Sequence, residues 1–89
     1  MRYTVRLARR AERYLDRLDR RQERRVRDRL EELSNSPHDG RLSAPLHGRS
    51  DGLLRSRVGD LRILFYLLDE IEVVDVTEIG PRGDVYKGR

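Results

Sequence analysis

Hydrophobic and polar residues alternate most regularly over residues 53–68, in the stretch LLRSRVGDLRILFYLL. A period of two is typical of β-strands, and Gly59-Asp60 interrupts it with residues suited to the positive φ angles of a two-residue hairpin turn. Counting outward from that turn pairs Arg57 with Arg62 and Arg55 with Leu64. The pattern therefore predicts two antiparallel strands joined by a tight turn.

The two faces of this predicted hairpin differ in chemistry, because successive side chains of a strand point to opposite faces. One face is almost wholly apolar and comprises Leu54, Ser56, Val58, Leu61, Ile63, Phe65 and Leu67. The other face carries Arg55, Arg57 and Arg62. Like charges placed opposite each other destabilise a sheet by up to about 1 kcal/mol, whereas an anionic ligand such as phosphate would relieve the repulsion. The alternative is that local acids, Asp60 or Asp75, neutralise the cluster.

Apolar residues recur at helical spacing before the hairpin. A first stripe predicts a helix from about Ala8 to Leu18. Asp19 followed by Gln22 resembles a capping box and predicts a second helix that runs to about Leu33. The polar surface of this helix pair either docks RNA or is simply solvated, as charge runs usually are. Its arginines are Arg9, Arg10, Arg13, Arg17, Arg20, Arg21, Arg24, Arg25, Arg27 and Arg29.

The remaining segments complete a small α+β domain. Alternation over residues 3–7 predicts a first strand, and IEVVDVTEI at 71–79 predicts a last one after a turn at Asp69-Glu70. Counting across that turn places Asp75 opposite Leu64, on the arginine face, and Thr77 opposite Arg62. We expect residues 37–52 to form an irregular connection. The prediction is a single domain over residues 1–89: an N-terminal strand, an antiparallel two-helix hairpin, and a three-stranded antiparallel meander packed on the helices.

Composition narrows the classes of function only modestly. Lys and Arg outnumber Asp and Glu by 20 to 16, which is a weak signal for nucleic acid. There is no cysteine, and the two histidines, His38 and His47, lie nine residues apart in the irregular connection without matched ligands. We therefore expect neither a metal nor a cofactor. The N-terminus lacks the apolar run of a signal peptide and no segment reaches membrane-spanning length, so we expect a cytoplasmic protein without a membrane partner.

The candidate chemistry is phosphate chemistry. No nucleophilic triad, glycine-rich phosphate loop or paired-carboxylate site is present. RNA carries its own nucleophile in the 2′-hydroxyl, so an arginine that stabilises the phosphate and a phenol that accepts a proton would suffice for cleavage. The tail beyond the last strand supplies Arg82 and Tyr86, and nearby arginines would lower the pKa of that phenol. Tyr66 is a second phenol on the arginine face, and we expect it to pack or to stack on a base.

The chain as a whole resembles the RelE/ParE family of bacterial and archaeal toxins from type II toxin–antitoxin pairs. The resemblance lies in the helix pair and in three stretches of sequence, PxxGRLSAPLHG, LRSRVGDLRILFYLLD and IEVVDVTEIGPRGDVY. The most specific parts are RVGDLRILFY and the R-x-x-x-Y that ends at Tyr86. In the RelE branch the resemblance implies a metal-independent mRNA endonuclease that acts in the ribosomal A site, stops translation and is inhibited by a cognate antitoxin, RelB-like or other. It implies catalytic roles for Arg62, Arg82 and Tyr86, and RNA binding by Arg55, with Arg57 in the same basic strand.

Two positions depart from the family pattern. Leu61 stands where an aromatic residue often precedes the arginine, and Pro81 stands where a basic residue or histidine is common. The ParE branch shares the fold but inhibits DNA gyrase by binding and lacks the catalytic residues, so it remains the alternative. A third possibility is a toxin-like binding module without activity that acts only with its antitoxin.

Overall fold

The computed structural model describes residues 2–81, which form two helices and one five-stranded sheet. The elements in chain order are β1 Thr4–Leu7, α1 Arg9–Arg17, α2 Arg20–Asn35, β2 Ala44–Pro45, β3 Leu54–Val58, β4 Leu61–Leu68 and β5 Val73–Pro81. The sheet order is β1-β5-β4-β3-β2, with β1 parallel to β5 and the other pairs antiparallel. The predicted α+β class is confirmed. Among these residues no helix is both long and apolar enough to cross a membrane.

The β3–β4 hairpin has the predicted register. Arg57 pairs with Arg62 and Arg55 with Leu64. The turn depends on Gly59, whose φ is 58°, a left-handed conformation that residues with a Cβ rarely adopt. A tight turn with a glycine at the required position therefore fixes which side chains share a face.

The predicted register of β4 with β5 is wrong. The turn takes four residues, so Leu68 pairs with Val73 and not with Ile71. Asp69-Glu70 contains no glycine or asparagine for a two-residue turn, and the chain instead adopts a longer turn with positive φ only at Glu72.

A β-bulge moves the strands further out of the predicted register. The partner of Phe65 is Val76 and that of Leu64 is Glu78, so Thr77 is the extra residue. As a result Arg62 lies opposite Gly80 rather than Thr77.

The helices pack on the apolar face of the sheet, as predicted. In α2 the carboxylate of Asp19 accepts a hydrogen bond of 2.8 Å from the amide of Gln22, so the predicted N-cap is confirmed. The helix continues to Asn35, two residues beyond the prediction. The buried core comprises Ala11, Leu15, Val26, Leu30, Leu33, Val58, Leu61, Ile63, Phe65, Val74, Val76 and Ile79.

The connection between α2 and β3 contains β2, a strand that was not predicted from the sequence. β2 has only two residues and pairs Ala44 with Arg55 and Pro45 with Leu54. Leu42 packs against the core, as expected of an anchor for this segment. Because β2 is so short, most of the outer edge of β3 does not pair with a neighbouring strand within residues 2–81.

Candidate nucleic-acid interface

The face of the sheet opposite the helices carries the three arginines predicted from the alternating pattern. We call Arg55, Arg57 and Arg62 the arginine face. Arg57 is exposed, and Arg55 and Arg62 are half-buried. Within residues 2–81 neither Arg55 nor Arg62 forms an ion pair through its guanidinium group, so both can bind an external anion.

The predicted internal counter-ions do not neutralise this face. Asp75 lies opposite Tyr66, not Leu64, and its Oδ1 accepts a hydrogen bond of 3.1 Å from Nε of Arg6 on β1. The longer turn and the bulge described above account for this displacement. Asp60 forms no ion pair with any residue in the range 2–81. Neither of the two predicted acids therefore neutralises Arg55 or Arg62 within residues 2–81.

Arg29 of α2 forms hydrogen bonds with β3 from the helix side of the sheet. Its Nη1 donates hydrogen bonds of 2.8 Å to Oγ of Ser56 and 2.8 Å to the carbonyl of Arg57. Ser56 is fully buried and donates in turn to the carbonyl of Leu42 at 2.7 Å. Arg29 thus links α2, β3 and the connection, and fixes the backbone that carries Arg57.

Sequence analysis placed Arg29 among the surface arginines of the helix pair and missed this role. The available signal was Ser56, the only polar residue on the apolar face of the hairpin. A buried hydroxyl needs a hydrogen-bond partner, and that partner had to come from outside the hairpin.

A groove of about 230 Å³ borders the arginine face at the β2–β3 edge, and four arginines line it. It is lined by Arg29, Gly40, Arg41, Leu42, Ser43, Ala44, Arg55 and Arg57. Arg41 donates two hydrogen bonds to Asp39, at 3.1 and 2.9 Å, and these bonds lower the pKa of Asp39 and raise that of Arg41. Asp39 therefore neutralises Arg41, and the positive charge of the groove lies on the side of β3.

Tyr66 lies on the same side of β4 as Arg62 and is fixed by a carboxylate. Its hydroxyl donates a hydrogen bond of 2.8 Å to Oδ2 of Asp51, which also accepts one of 2.6 Å from Nη2 of Arg49. The bonds from Arg49 and Tyr66 lower the pKa of Asp51 to about 2, while the bond to Asp51 raises the pKa of Tyr66. This hydrogen bond favours the protonated form of Tyr66, and the predicted packing or stacking role of Tyr66 stays a prediction.

A similar Tyr–Asp pair lies at the start of β1. The Tyr3 hydroxyl donates a hydrogen bond of 2.7 Å to Oδ1 of Asp69, which also contacts Nε2 of His38 at 2.9 Å. The hydrogen bond raises the pKa of Tyr3 and lowers that of Asp69. Tyr3 packs against the core under the helices, so this pair lies away from the arginine face.

The predicted catalytic residues Arg82 and Tyr86 lie outside the described residues, and their roles stay predictions. The observed register does define where β5 ends. Gly80 lies opposite Arg62, so β5 passes Arg62 two residues before position 82 in the chain. In the predicted register Thr77 lay opposite Arg62, which is five residues before position 82.

Comparisons with known proteins agree with this fold. A family model described as the ParE toxin of type II toxin–antitoxin systems, parDE, matches residues 5–86. Among solved structures, the RelBE2 toxin–antitoxin complex of Mycobacterium tuberculosis contains a chain 30% identical to this one. The match covers 92% of this chain and 100% of that one, with a TM-score of 0.77.

Two further structures share the fold at lower identity. A chain of the RelE–RelB complex of Pyrococcus horikoshii is 24% identical, with coverage of 93% and 98% and a TM-score of 0.76. A chain of the RelBE complex of Escherichia coli is 21% identical, with coverage of 89% and 95% and a TM-score of 0.75. No match was found among curated protein sequences. The family match and the M. tuberculosis relative together show that this chain is a toxin of a type II toxin–antitoxin system and belongs to the RelE/ParE family.

Proposed function

We propose that this toxin is a ribosome-dependent endonuclease that cleaves mRNA in the A site and is neutralised by a cognate antitoxin. The observation that carries the proposal is that Arg55 and Arg62 lie on one face of the sheet without an ion pair within residues 2–81, with the end of β5 beside Arg62. Guanidinium groups placed in this way match the geometry of a phosphate. The chain then leads directly from β5 to Arg82 and Tyr86.

The proposed reaction needs no nucleophile from the protein. The 2′-oxygen attacks the adjacent phosphorus and the bond from phosphorus to the 5′-oxygen breaks. The products are a 2′,3′-cyclic phosphate and a 5′-hydroxyl. Arg62 and Arg82 stabilise the added negative charge on the phosphate, since positioned donors act most strongly where charge develops. Tyr86, as the phenolate, accepts the proton of the 2′-hydroxyl, and the 5′-oxygen takes up a proton from water as it leaves.

Arg55 and Arg57 have a binding role in this scheme. They lie on β3 beside Arg62 and hold the backbone on the 5′ or 3′ side of the cleaved bond through charge-assisted hydrogen bonds. The hydrogen bond to Asp51 stabilises the protonated form of Tyr66 and raises its pKa, which makes Tyr66 a weaker candidate for the general base than Tyr86.

The decisive experiment maps the 5′ ends of cellular mRNAs after brief expression of the toxin and repeats the assay on purified ribosomes. We expect new ends within reading frames, and Arg62→Ala should reduce cleavage by about 100-fold or more. Tyr86→Phe should abolish it at neutral pH. Arg24→Ala removes the same charge from the helix surface and should cleave at close to the unaltered rate.

The matching family model is described as that of ParE toxins, so inhibition of DNA gyrase by binding is the alternative to be tested. A supercoiling assay on the same protein separates the two. Gyrase inhibition with intact mRNA would overturn the nuclease proposal, whereas growth arrest with neither effect would point to a different target.

We also propose a partner. The similar solved structures are complexes with RelB antitoxins, and an exposed cationic face favours capture of an acidic segment. The antitoxin's C-terminal part would wrap the helix pair and cover the tail near Tyr86. Co-expression with the neighbouring gene of the operon should yield a stable complex that no longer cleaves mRNA. A stable complex with undiminished cleavage would contradict this mode of inhibition.

A further inference from the structure

The arrangement of Arg49, Asp51 and Tyr66 is not explained by phosphate binding alone. Asp51 places a carboxylate on a surface whose proposed ligand is a polyanion, where a negative charge weakens binding. It nevertheless accepts three hydrogen bonds, from the Tyr66 hydroxyl at 2.8 Å, from Arg49 at 2.6 Å and from the amide of Leu53 at 3.3 Å. An acid on this surface that is neutralised by Arg49 and held by three donors has a task other than phosphate binding.

The position of Tyr66 suggests that task. Arg62 and Tyr66 are four residues apart on the same face of β4, about 13 Å along the strand. The Tyr66 ring is half-buried, and its hydroxyl is fixed at one end. The acids beside the ring, Asp51 and Asp75, are each paired with an arginine. An aromatic ring on a sheet surface is how many proteins bind the bases of single-stranded RNA.

We infer that Tyr66 is a stacking platform for a base of single-stranded RNA, and that Asp51 is a positioning residue that holds the ring in place. Arg49 neutralises Asp51, so the carboxylate fixes the ring without adding net repulsion. The base bound there belongs to a nucleotide near the phosphate at Arg62, not to the cleaved linkage itself. Tyr66 would therefore contribute to sequence preference rather than to the chemical step.

This inference rests on the proposed function for the identity of the RNA, which is mRNA, but its test does not require cleavage. The probe is a short 2′-O-methyl RNA that contains 2-aminopurine, whose fluorescence is quenched by stacking and whose 2′-position cannot attack. The full-length protein is titrated with it in the absence of ribosomes. We expect saturable quenching with the unaltered protein.

Variants then distinguish the contribution of the Tyr66 ring from that of its hydrogen bond to Asp51. Tyr66→Leu should abolish the quenching and weaken binding by about 5- to 150-fold, the range for loss of one stacked base. Tyr66→Phe and Asp51→Asn should each reduce the quenching. Asp51→Asn weakens the hydrogen bond that Tyr66→Phe removes, because the amide oxygen can still accept but carries no charge. It should therefore not lower the quenching further once Tyr66→Phe is present.

The Tyr3–Asp69 pair provides matched controls, since it has the same hydrogen bond on the other side of the sheet. Tyr3→Phe and Asp69→Asn should leave the quenching unchanged, and thermal unfolding checks that every variant is folded. Equal quenching by the unaltered protein and Tyr66→Leu, or equal effects of Asp51→Asn and Asp69→Asn, would overturn the inference.

The outcome for cleavage is scored separately on ribosomes. If Tyr66→Leu still cleaves but at a different distribution of sites, the stacking role is supported within the proposed function. If the unaltered protein shows the quenching pattern but no cleavage, the stacking site stands and only the nuclease proposal fails. If cleavage occurs at the same sites in Tyr66→Leu, the proposed function stands and the role of Tyr66 in sequence preference is refuted.

Discussion

At the scale of single residues, the arginine face depends on a hydrogen-bond network beneath it. Arg29 satisfies both a buried hydroxyl, that of Ser56, and the backbone carbonyl of Arg57. Removal of Arg29 breaks two hydrogen bonds from a charged group and leaves the buried Ser56 oxygen only its bond to the Leu42 carbonyl, a loss of about 1–3 kcal/mol. The same guanidinium also pairs with Glu32 at 2.9 Å, an exposed contact that adds little.

We therefore expect Arg29→Ala to lower the free energy of unfolding by about 1–3 kcal/mol. Arg24→Ala, an exposed arginine on the same helix, should change it by less than about 0.5 kcal/mol. Urea denaturation measures both. Equal values for the two variants would show that the network contributes nothing beyond helix propensity.

The pKa of Asp51 gives a second prediction at this scale. It lies at about 2 in the folded protein, below the ordinary value of 3.8, because Arg49 and Tyr66 donate hydrogen bonds to the ionised form. A lowered carboxyl pKa stabilises the fold fully above the ordinary value, and this contribution is lost as the pH falls toward 2. The stability advantage of the unaltered protein over Asp51→Asn should therefore be constant above about pH 5 and shrink between pH 4 and pH 2.

Chemical denaturation over this pH range measures that difference, and carboxyl NMR titration assigns the pKa directly. Tyr66→Phe should move the pKa of Asp51 upward, toward its ordinary value. A pKa that stays at about 2 in that variant would mean that Arg49 alone sets it.

At the scale of elements, the two hairpins show what turn chemistry can predict. Gly59 accepts a positive φ, so counting from Gly59-Asp60 gave the correct register and the correct arginine face. Asp69-Glu70 has no such residue, and the four-residue turn and the bulge at Thr77 left no comparable signal in the pattern. The error still kept Asp75 on the outer face, because a shift of two residues preserves the side to which a side chain points.

Gly59→Ala tests the turn. Its φ of 58° costs an L-residue about 1–2 kcal/mol, and the new Cβ would lie 2.9 Å from the Arg25 guanidinium, which must move. We expect the free energy of unfolding to fall by at least about 1 kcal/mol.

Gly40→Ala is the matched control for Gly59→Ala. Its φ is not in the left-handed range and nothing lies within 4 Å of the new Cβ, so stability should stay the same or rise by up to about 1 kcal/mol. Thermal or urea unfolding distinguishes the two variants, and a neutral Gly59→Ala would mean that the turn relaxes to a different type.

At the scale of the whole molecule, the sequence predicted the α+β class, the helix pair and the faces of the β3–β4 hairpin. The parts it missed involve contacts between distant segments: β2, the Arg29–Ser56 network and the tether of Tyr66 by Asp51. Local periodicity carries no information about such contacts, since each joins residues that are 9 to 27 positions apart in the chain. A lone polar residue in an apolar pattern, such as Ser56, is the one sequence signal that indicates them.

The distribution of positive charge leads to the last prediction. Arginines cover both the helix pair and the opposite face of the sheet, and sequence alone left open whether the helical ones bind RNA. Each phosphate contact makes the logarithm of the binding constant fall with the logarithm of salt concentration by about 0.7 for single-stranded nucleic acid. Three contacts from the arginine face predict a slope of about −2.

Salt titrations of binding to the 2′-O-methyl RNA can therefore assign the contacts to one side of the molecule. Arg62→Ala should make the slope less steep by about 0.7, because one phosphate contact is lost. Arg24→Ala removes the same charge from α2 and should leave the slope unchanged, since a solvated arginine releases no counterion on binding. If Arg24→Ala reduces the slope as much as Arg62→Ala does, the RNA reaches around the molecule and the helix pair is part of the binding surface. If neither variant changes it, phosphate binding by the arginine face is refuted.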